Sequence, residues 1–83
     1  MTYEVDWEPP AVDLASRYLQ DDPAGLRAVL AAVDSLAEDP RPAGAFPLGA
    51  TRLLRLRAGK YRVVYQIDEA ARTVSIMHVG RRA

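Results

Sequence analysis

The chain contains no cysteine. That excludes a disulfide framework and any thiolate metal site, and it is compatible with a reducing compartment. Lysine is almost missing too: ten of the eleven basic residues are arginine, leaving Lys60 alone. Histidine occurs once, as His78. The opening Met-Thr-Tyr-Glu-Val-Asp-Trp has neither a positive leader nor an apolar core, so no secretory signal is expected. No apolar run approaches the roughly 20 residues of a membrane span. Gly59 and Gly80 are isolated turn residues and form no phosphate loop. No carboxylate–histidine cluster has ligand spacing, so neither a metal nor another cofactor is expected. Repeats and low-complexity tracts are missing as well. What remains is a sequence of 83 residues, 49% apolar, which suits one cytoplasmic domain over residues 1–83 with a modest core.

The formal net charge of zero hides a division. Residues 1–39 carry nine acidic groups against two arginines, a net of −7. Residues 40–83 carry nine basic groups against Asp68 and Glu69, a net of +7. A small domain divided in this way has a strong field and a cationic surface suited to phosphates or an acidic partner. Arginine's planar fork grips phosphate through two parallel hydrogen bonds. A GC-rich genome would also enrich arginine without any functional cause.

Tyr3, Val5 and Trp7 alternate with Glu4, Asp6 and Glu8, the period of a half-buried strand. Pro9-Pro10 ends it and opens a helix running to about Leu19. Asp22 then reads as an N-cap with Pro23 at the first helical position. Leu26, Val29, Leu30, Val33, Leu36 and Ala37 follow amphipathic spacing, and Asp39-Pro40-Arg41-Pro42 stops that helix. Residues 40–50, rich in Pro, Gly and Ala, read as an ordered loop. Three strands follow, about Arg52–Arg57, Tyr61–Asp68 and Arg72–Val79, with turns at Gly59-Lys60 and Glu69-Ala70-Ala71. The expected fold is α+β in the order β-α-α-β-β-β: a helical hairpin on one face of a four-stranded, mainly antiparallel sheet.

A two-residue turn at Gly59-Lys60 sets the hairpin register. Arg57 then faces Arg62, Arg55 faces Val64, and Leu53 faces Gln66. The other face collects Leu56 with Val63 and Leu54 with Tyr65. A one-residue slip would carry arginines into the core, so burial selects this pairing. One surface thus gathers Arg55, Arg57 and Arg62. Opposed like charges weaken a strand pair on a scale of roughly 0.2–1 kcal/mol, which a bound anion would offset; solvent screening is the alternative account.

In the last strand, Val74 and Ile76 belong to the core, which sends His78 inward by parity unless a bulge intervenes. Met77 and Val79 leave that parity ambiguous. Gly80 frees the backbone, so Arg81-Arg82 can turn towards the arginine surface. Tyr61 is the aromatic placed to stack on a base at its rim, whereas Trp7 and Tyr18 read as core.

The run Leu56-Arg-Ala-Gly-Lys-Tyr-Arg-Val-Val-Tyr-Gln-Ile-Asp68, followed by Arg72-Thr-Val-Ser-Ile-Met-His-Val-Gly-Arg-Arg82, resembles the C-terminal half of the RelE/ParE superfamily of bacterial toxins. The segment Ala32-Val-Asp-Ser-Leu-Ala-Glu-Asp-Pro-Arg-Pro42 is similar to that family's second helix and following loop. The resemblance implies the same β-α-α-β-β-β order. It also implies a type II toxin, silenced by a cognate antitoxin whose C-terminal segment wraps it in a hetero-oligomer.

For RelE-like members, the resemblance implies ribosome-dependent mRNA cleavage by attack of a ribose 2′-OH on the adjacent phosphate. Such chemistry needs cations around the phosphorane and groups that move two protons. By resemblance, Arg62 stabilises the transition state, Arg55 takes a basic position on the preceding strand, and Arg82 lies near the leaving group. Leu53 replaces a lysine found in some members. Many members continue to a terminal Tyr or His-Tyr pair, whereas this sequence stops at Ala83. Arginine cannot practically be deprotonated, so proton transfer falls to His78, Lys60 or a tyrosine such as Tyr61. Arg57, Lys60, Tyr61 and Arg81 complete the expected RNA surface. The alternatives are a ParE-like toxin that inhibits DNA gyrase without nuclease chemistry, or a decayed member that only binds its antitoxin. Every reading expects an acidic or amphipathic partner segment on the cationic surface or beside the helices.

Overall fold

The structure is a computed structural model describing residues 2–82; Ala83, where the sequence stops, lies outside them. Within the described residues run β1 (Glu4–Trp7), α1 (Pro9–Asp21), α2 (Pro23–Ser35), β2 (Ala45–Pro47), β3 (Leu53–Ala58), β4 (Tyr61–Asp68) and β5 (Thr73–Arg81). The strands form one sheet in the order β1-β5-β4-β3-β2. Only β1 and β5 run parallel; the other pairs are antiparallel.

One residue joins the helices. Asp22 closes α1 by donating its N–H to the Tyr18 carbonyl at 2.7 Å, and it opens α2 by accepting from Gly25 N at 3.1 Å. Pro23 takes the first helical position, where its missing N–H leaves nothing unsatisfied. The apolar stripe of α2 buries Leu26, Val29 and Val33, and Leu36 follows just beyond its end. These pack on Leu56, Tyr61, Val63, Tyr65, Val74, Ile76 and Val79 of the sheet, with Ala11 of α1. Tyr65 donates its hydroxyl to the Pro40 carbonyl at 2.7 Å, and burial pushes that phenol up to about 12. Among the described residues, no helix covers the opposite face of the sheet.

The β3–β4 hairpin has the expected register: Arg57 pairs with Arg62, Arg55 with Val64, and Leu53 with Gln66. Gly59 holds φ at 61° and Lys60 does not share a positive φ, the signs of a type II′ turn. That hand matches the twist of the flanking strands.

The sheet has five strands where four were expected. Part of the anticipated loop pairs with β3, setting Ala45 against Leu56, Phe46 against Arg55 and Pro47 against Leu54. Three residues ending in proline have little strand character of their own, so the neighbouring strand imposes the conformation. Leu48 donates to the Leu53 carbonyl at 2.9 Å, so the backbone groups of Ala45 and Pro47 face away from β3. Pro47 has no N–H to offer there, and Ala45 N already donates to the Pro42 carbonyl at 3.0 Å. At the opposite edge, Glu4 and Glu8 donate to β5-side carbonyls, so Val5 and Trp7 direct their backbone groups outward.

A register shift separates the two ends of the β4–β5 pair. Val64 lies opposite His78, and the next residue, Tyr65, lies opposite Ile76. Met77 is therefore the extra residue of a β-bulge. It lets Ile76 and Val79 both reach the core and turns His78 outward. The inward parity of His78 fails for this reason.

Candidate nucleic-acid interface

The helix-free face of the sheet displays two rows of side chains. One crosses four strands as Phe46, Arg55, Val64 and His78. The neighbouring row sets Arg57 against Arg62 and Arg62 against Gly80. A cleft of about 350 Å3 opens between them, lined by Leu48, Arg55, Arg62, Val64, His78, Gly80, Arg81 and Arg82. A β-carbon at Gly80 would lie 3.3 Å from His78 Nε2, so the imidazole folds over the glycine backbone on the strand beside Arg62. A larger residue at 80 would have to displace the ring.

Among the described residues, no ion pair involves Arg55, Arg57, Arg62 or Arg82. Their charge is open to an external anion. Arg57 and Arg62 also stand directly opposed, adding local repulsion that a phosphate between them would relieve. No group of three or more His, Asp or Glu among the described residues could hold a metal ion.

The structure brings five of the expected site residues to this cleft: Arg55, Arg62, His78 and Arg82, with Arg81 at its border. Arg57 adjoins it. Lys60 and Tyr61 are placed elsewhere, and the Arg81 guanidinium is committed to other partners. Tyr61 is only 1% exposed, with its ring set edge-on to Tyr18 at 5.3 Å between centroids. Its hydroxyl donates to Asp22 Oδ2 at 3.0 Å, and burial raises its phenol above the usual range. The period of the strand dictates this, because Tyr61 shares the inward face with Val63 and Tyr65. It is not a rim platform. Lys60 Nζ lies 3.7 Å from Asp22 Oδ2, at the helix end of the hairpin. Arg81 borders the cleft, but its guanidinium pairs with Asp21 and covers the Tyr18 ring at 4.9 Å. That pairing raises its already high pKa further.

Phe46 escaped the sequence reading. It is 58% exposed and stands beside Arg55 over a second cavity of about 540 Å3, lined also by Gly44, Arg57 and Gly59. The available signal was one aromatic flanked by small residues and prolines, which reads as loop.

The helical side has a different character. Trp7, Val12, Ala15, Ser16, Leu19, Leu26 and Leu30 line an apolar groove of about 350 Å3. Val12, Leu19 and Leu30 remain substantially exposed there. Among the described residues no helix is long and apolar enough to cross a membrane.

Residues 11–83 match the family model for the ParE toxin of the type II toxin–antitoxin system parDE. The chain belongs to the ParE toxin family. It is a toxin of the RelE/ParE superfamily from a type II toxin–antitoxin system. A chain of the archaeal RelE–RelB complex from Pyrococcus horikoshii OT3 is 30% identical, with a TM-score of 0.80 over 100% of this chain and 98% of that one. A chain of the RelBE2 toxin–antitoxin complex from Mycobacterium tuberculosis is 29% identical, with a TM-score of 0.79 over 99% of this chain and 100% of that one. A mutant of the Escherichia coli toxin RelE in the free state shares the fold at 24% identity, with a TM-score of 0.77 over 98% of this chain and 84% of that one. No curated protein matches the sequence. Two of these relatives were solved as toxin–antitoxin complexes.

Proposed function

We propose that this toxin is a ribosome-dependent mRNA endonuclease. The observation that carries the reading is the bulge at Met77, which turns His78 into the same cleft as Arg55, Arg62 and Arg82. Arginines alone can bind a phosphate and stabilise a phosphorane, but they cannot accept a proton. The imidazole adds a group that can both take and return one.

In this mechanism the 2′-OH of one nucleotide attacks the adjacent phosphorus while His78 takes its proton. Arg55 and Arg62 neutralise the charge that accumulates on the equatorial oxygens. The P–O5′ bond breaks, leaving a 2′,3′-cyclic phosphate and a 5′-hydroxyl whose oxygen is protonated from solvent beside Arg82. Charge placement and in-line positioning need no metal. The ribosome contributes by presenting mRNA in an extended conformation.

The apolar groove over α1 and α2 suits the amphipathic part of an antitoxin, while its acidic portion would cover the free arginines. Neutralisation then follows from competition with phosphate.

The test is primer-extension mapping of cleavage on translating ribosomes with wild type, His78→Ala, Arg62→Ala and Arg82→Ala. Strong loss in the variants, on the order of 10²–10⁴-fold for His78→Ala, is expected. Equal cleavage patterns in all four proteins, or none in the wild type, sink the nuclease reading. The match to the ParE family model favours a second reading, inhibition of DNA gyrase by protein binding. A supercoiling assay separates the two: under the nuclease reading the toxin leaves gyrase unaffected.

A further inference from the structure

An isolated exposed hydrophobic residue is ordinary, but Phe46 is not isolated in its chemistry. Its ring stands next to Arg55 across the β2–β3 pair, and Arg57 lines the same cavity of about 540 Å3. Gly44 and Gly59, which contribute no side chains, line it as well, leaving the ring face accessible. Arg55 also lines the cleft that holds Arg62 and His78, so the two depressions are continuous through one guanidinium. Two strand spacings separate β4 from β2, roughly 10 Å. A single strand of RNA crossing the sheet would therefore place a base one or two nucleotides from the reacting phosphate over the phenyl ring.

We propose that Phe46 is a stacking platform for a nucleobase of single-stranded RNA, with Arg55 and Arg57 gripping the phosphates beside it. This deepens the proposed nuclease function and rests on it, since the neighbouring cleft must hold RNA. Stacking on an aromatic face tolerates every base, because each has a π-face, so the platform adds affinity and sets position without reading sequence. The flanking cations favour nucleic acid over an apolar protein segment as occupant, because burying a helix or strand there would desolvate two unpaired guanidinium groups.

The experiment measures fluorescence anisotropy of a labelled hexaadenylate at low salt with wild type, Phe46→Ala, Phe46→Trp and Arg62→Ala. A parallel series uses a hexamer with an abasic backbone. Phe46→Ala should weaken hexaadenylate binding by roughly five- to 150-fold, while Phe46→Trp retains it and its fluorescence is quenched by the RNA. The abasic strand should bind wild type and Phe46→Ala alike. Phe46 is exposed on an edge strand, so melting temperatures will verify that each variant is folded. Undiminished RNA binding by Phe46→Ala, alongside loss in Arg62→Ala, overturns the platform, assigns the ring to a protein contact and leaves the cleft intact. No binding by the wild type overturns the platform and the nuclease reading together.

Discussion

The Tyr61 hydroxyl donates to Asp22 Oδ2 at 3.0 Å, fastening the inter-helix turn to the first residue of β4. Gly25 N donates to the other oxygen of the same carboxylate, and Lys60 approaches it from the hairpin turn. One side chain thus ends one helix, begins the next and anchors both to the sheet.

These donors, the Gly25 N–H first and the Tyr61 hydroxyl second, hold the Asp22 carboxyl below its usual range. The folded state then binds a proton less readily than the unfolded state. Asp22 contributes its full stabilisation above the ordinary carboxylate pKa of about 4 and loses it as pH falls through the depressed folded value. Melting temperatures of wild type and Asp22→Asn, followed from neutrality into acid, should converge as pH falls. A gap that stays constant with pH refutes the linkage.

Gly25 is the position that this arrangement tolerates least well. A β-carbon there would lie 2.2 Å from Asp22 Oδ2 and 2.9 Å from the Tyr61 ring. Alanine normally strengthens a helix interior, yet here it must displace the cap or the ring. Gly25→Ala should destabilise the protein by about 1–3 kcal/mol in urea denaturation. A stabilising effect would mean that the carboxylate moves freely.

Arg57 and Arg62 face one another, and among the described residues neither forms an ion pair. Removing one charge should stabilise the free protein while weakening its hold on RNA. Arg57→Ala should gain about 0.2–1 kcal/mol in denaturant unfolding. Its RNA affinity should fall, and the salt slope should shrink by roughly 0.7 if one phosphate contact is lost. Loss of stability without change in the slope would show that the pair is structural.

Gly80 provides the space over which His78 folds. A β-carbon there needs the imidazole to give by only a few tenths of an ångström. The bulkier Gly80→Val should displace it while leaving the core untouched, so cleavage on ribosomes should fall by roughly tenfold to a hundredfold. Antitoxin binding and melting temperature should change little. Full activity in this variant would remove His78 from the proton-transfer step.

The most legible parts of the sequence were those in which a local rule and the core agreed. Asp22-Pro23 combines cap chemistry with a fixed φ, and the Gly59-Lys60 hairpin has one register that keeps arginines out of the interior. The unread parts depend on neighbours. Ala45–Pro47 becomes a strand because β3 offers it a ladder, and nothing in Ala-Phe-Pro announces this. The run Ile76-Met-His-Val79 fits either face until Val79 and Ile76 are both required inside, which only a bulge permits. Tyr61 was legible yet misassigned, since the same register that gathers the arginines sends it inward. Arg81 was drawn away by Asp21 and the Tyr18 ring, partners sixty or more residues distant along the chain.

The two margins of the sheet are unequal. Beyond β2, proline and an already committed amide leave no donor for a newcomer, whereas β1 still offers the amides of Val5 and Trp7. An incoming strand therefore meets both donors and acceptors at β1 but mainly acceptors at β2. Two copies joined through their β1 strands would pair donors with acceptors on both sides and leave mainly carbonyls at the outer flanks, which disfavours further lateral growth.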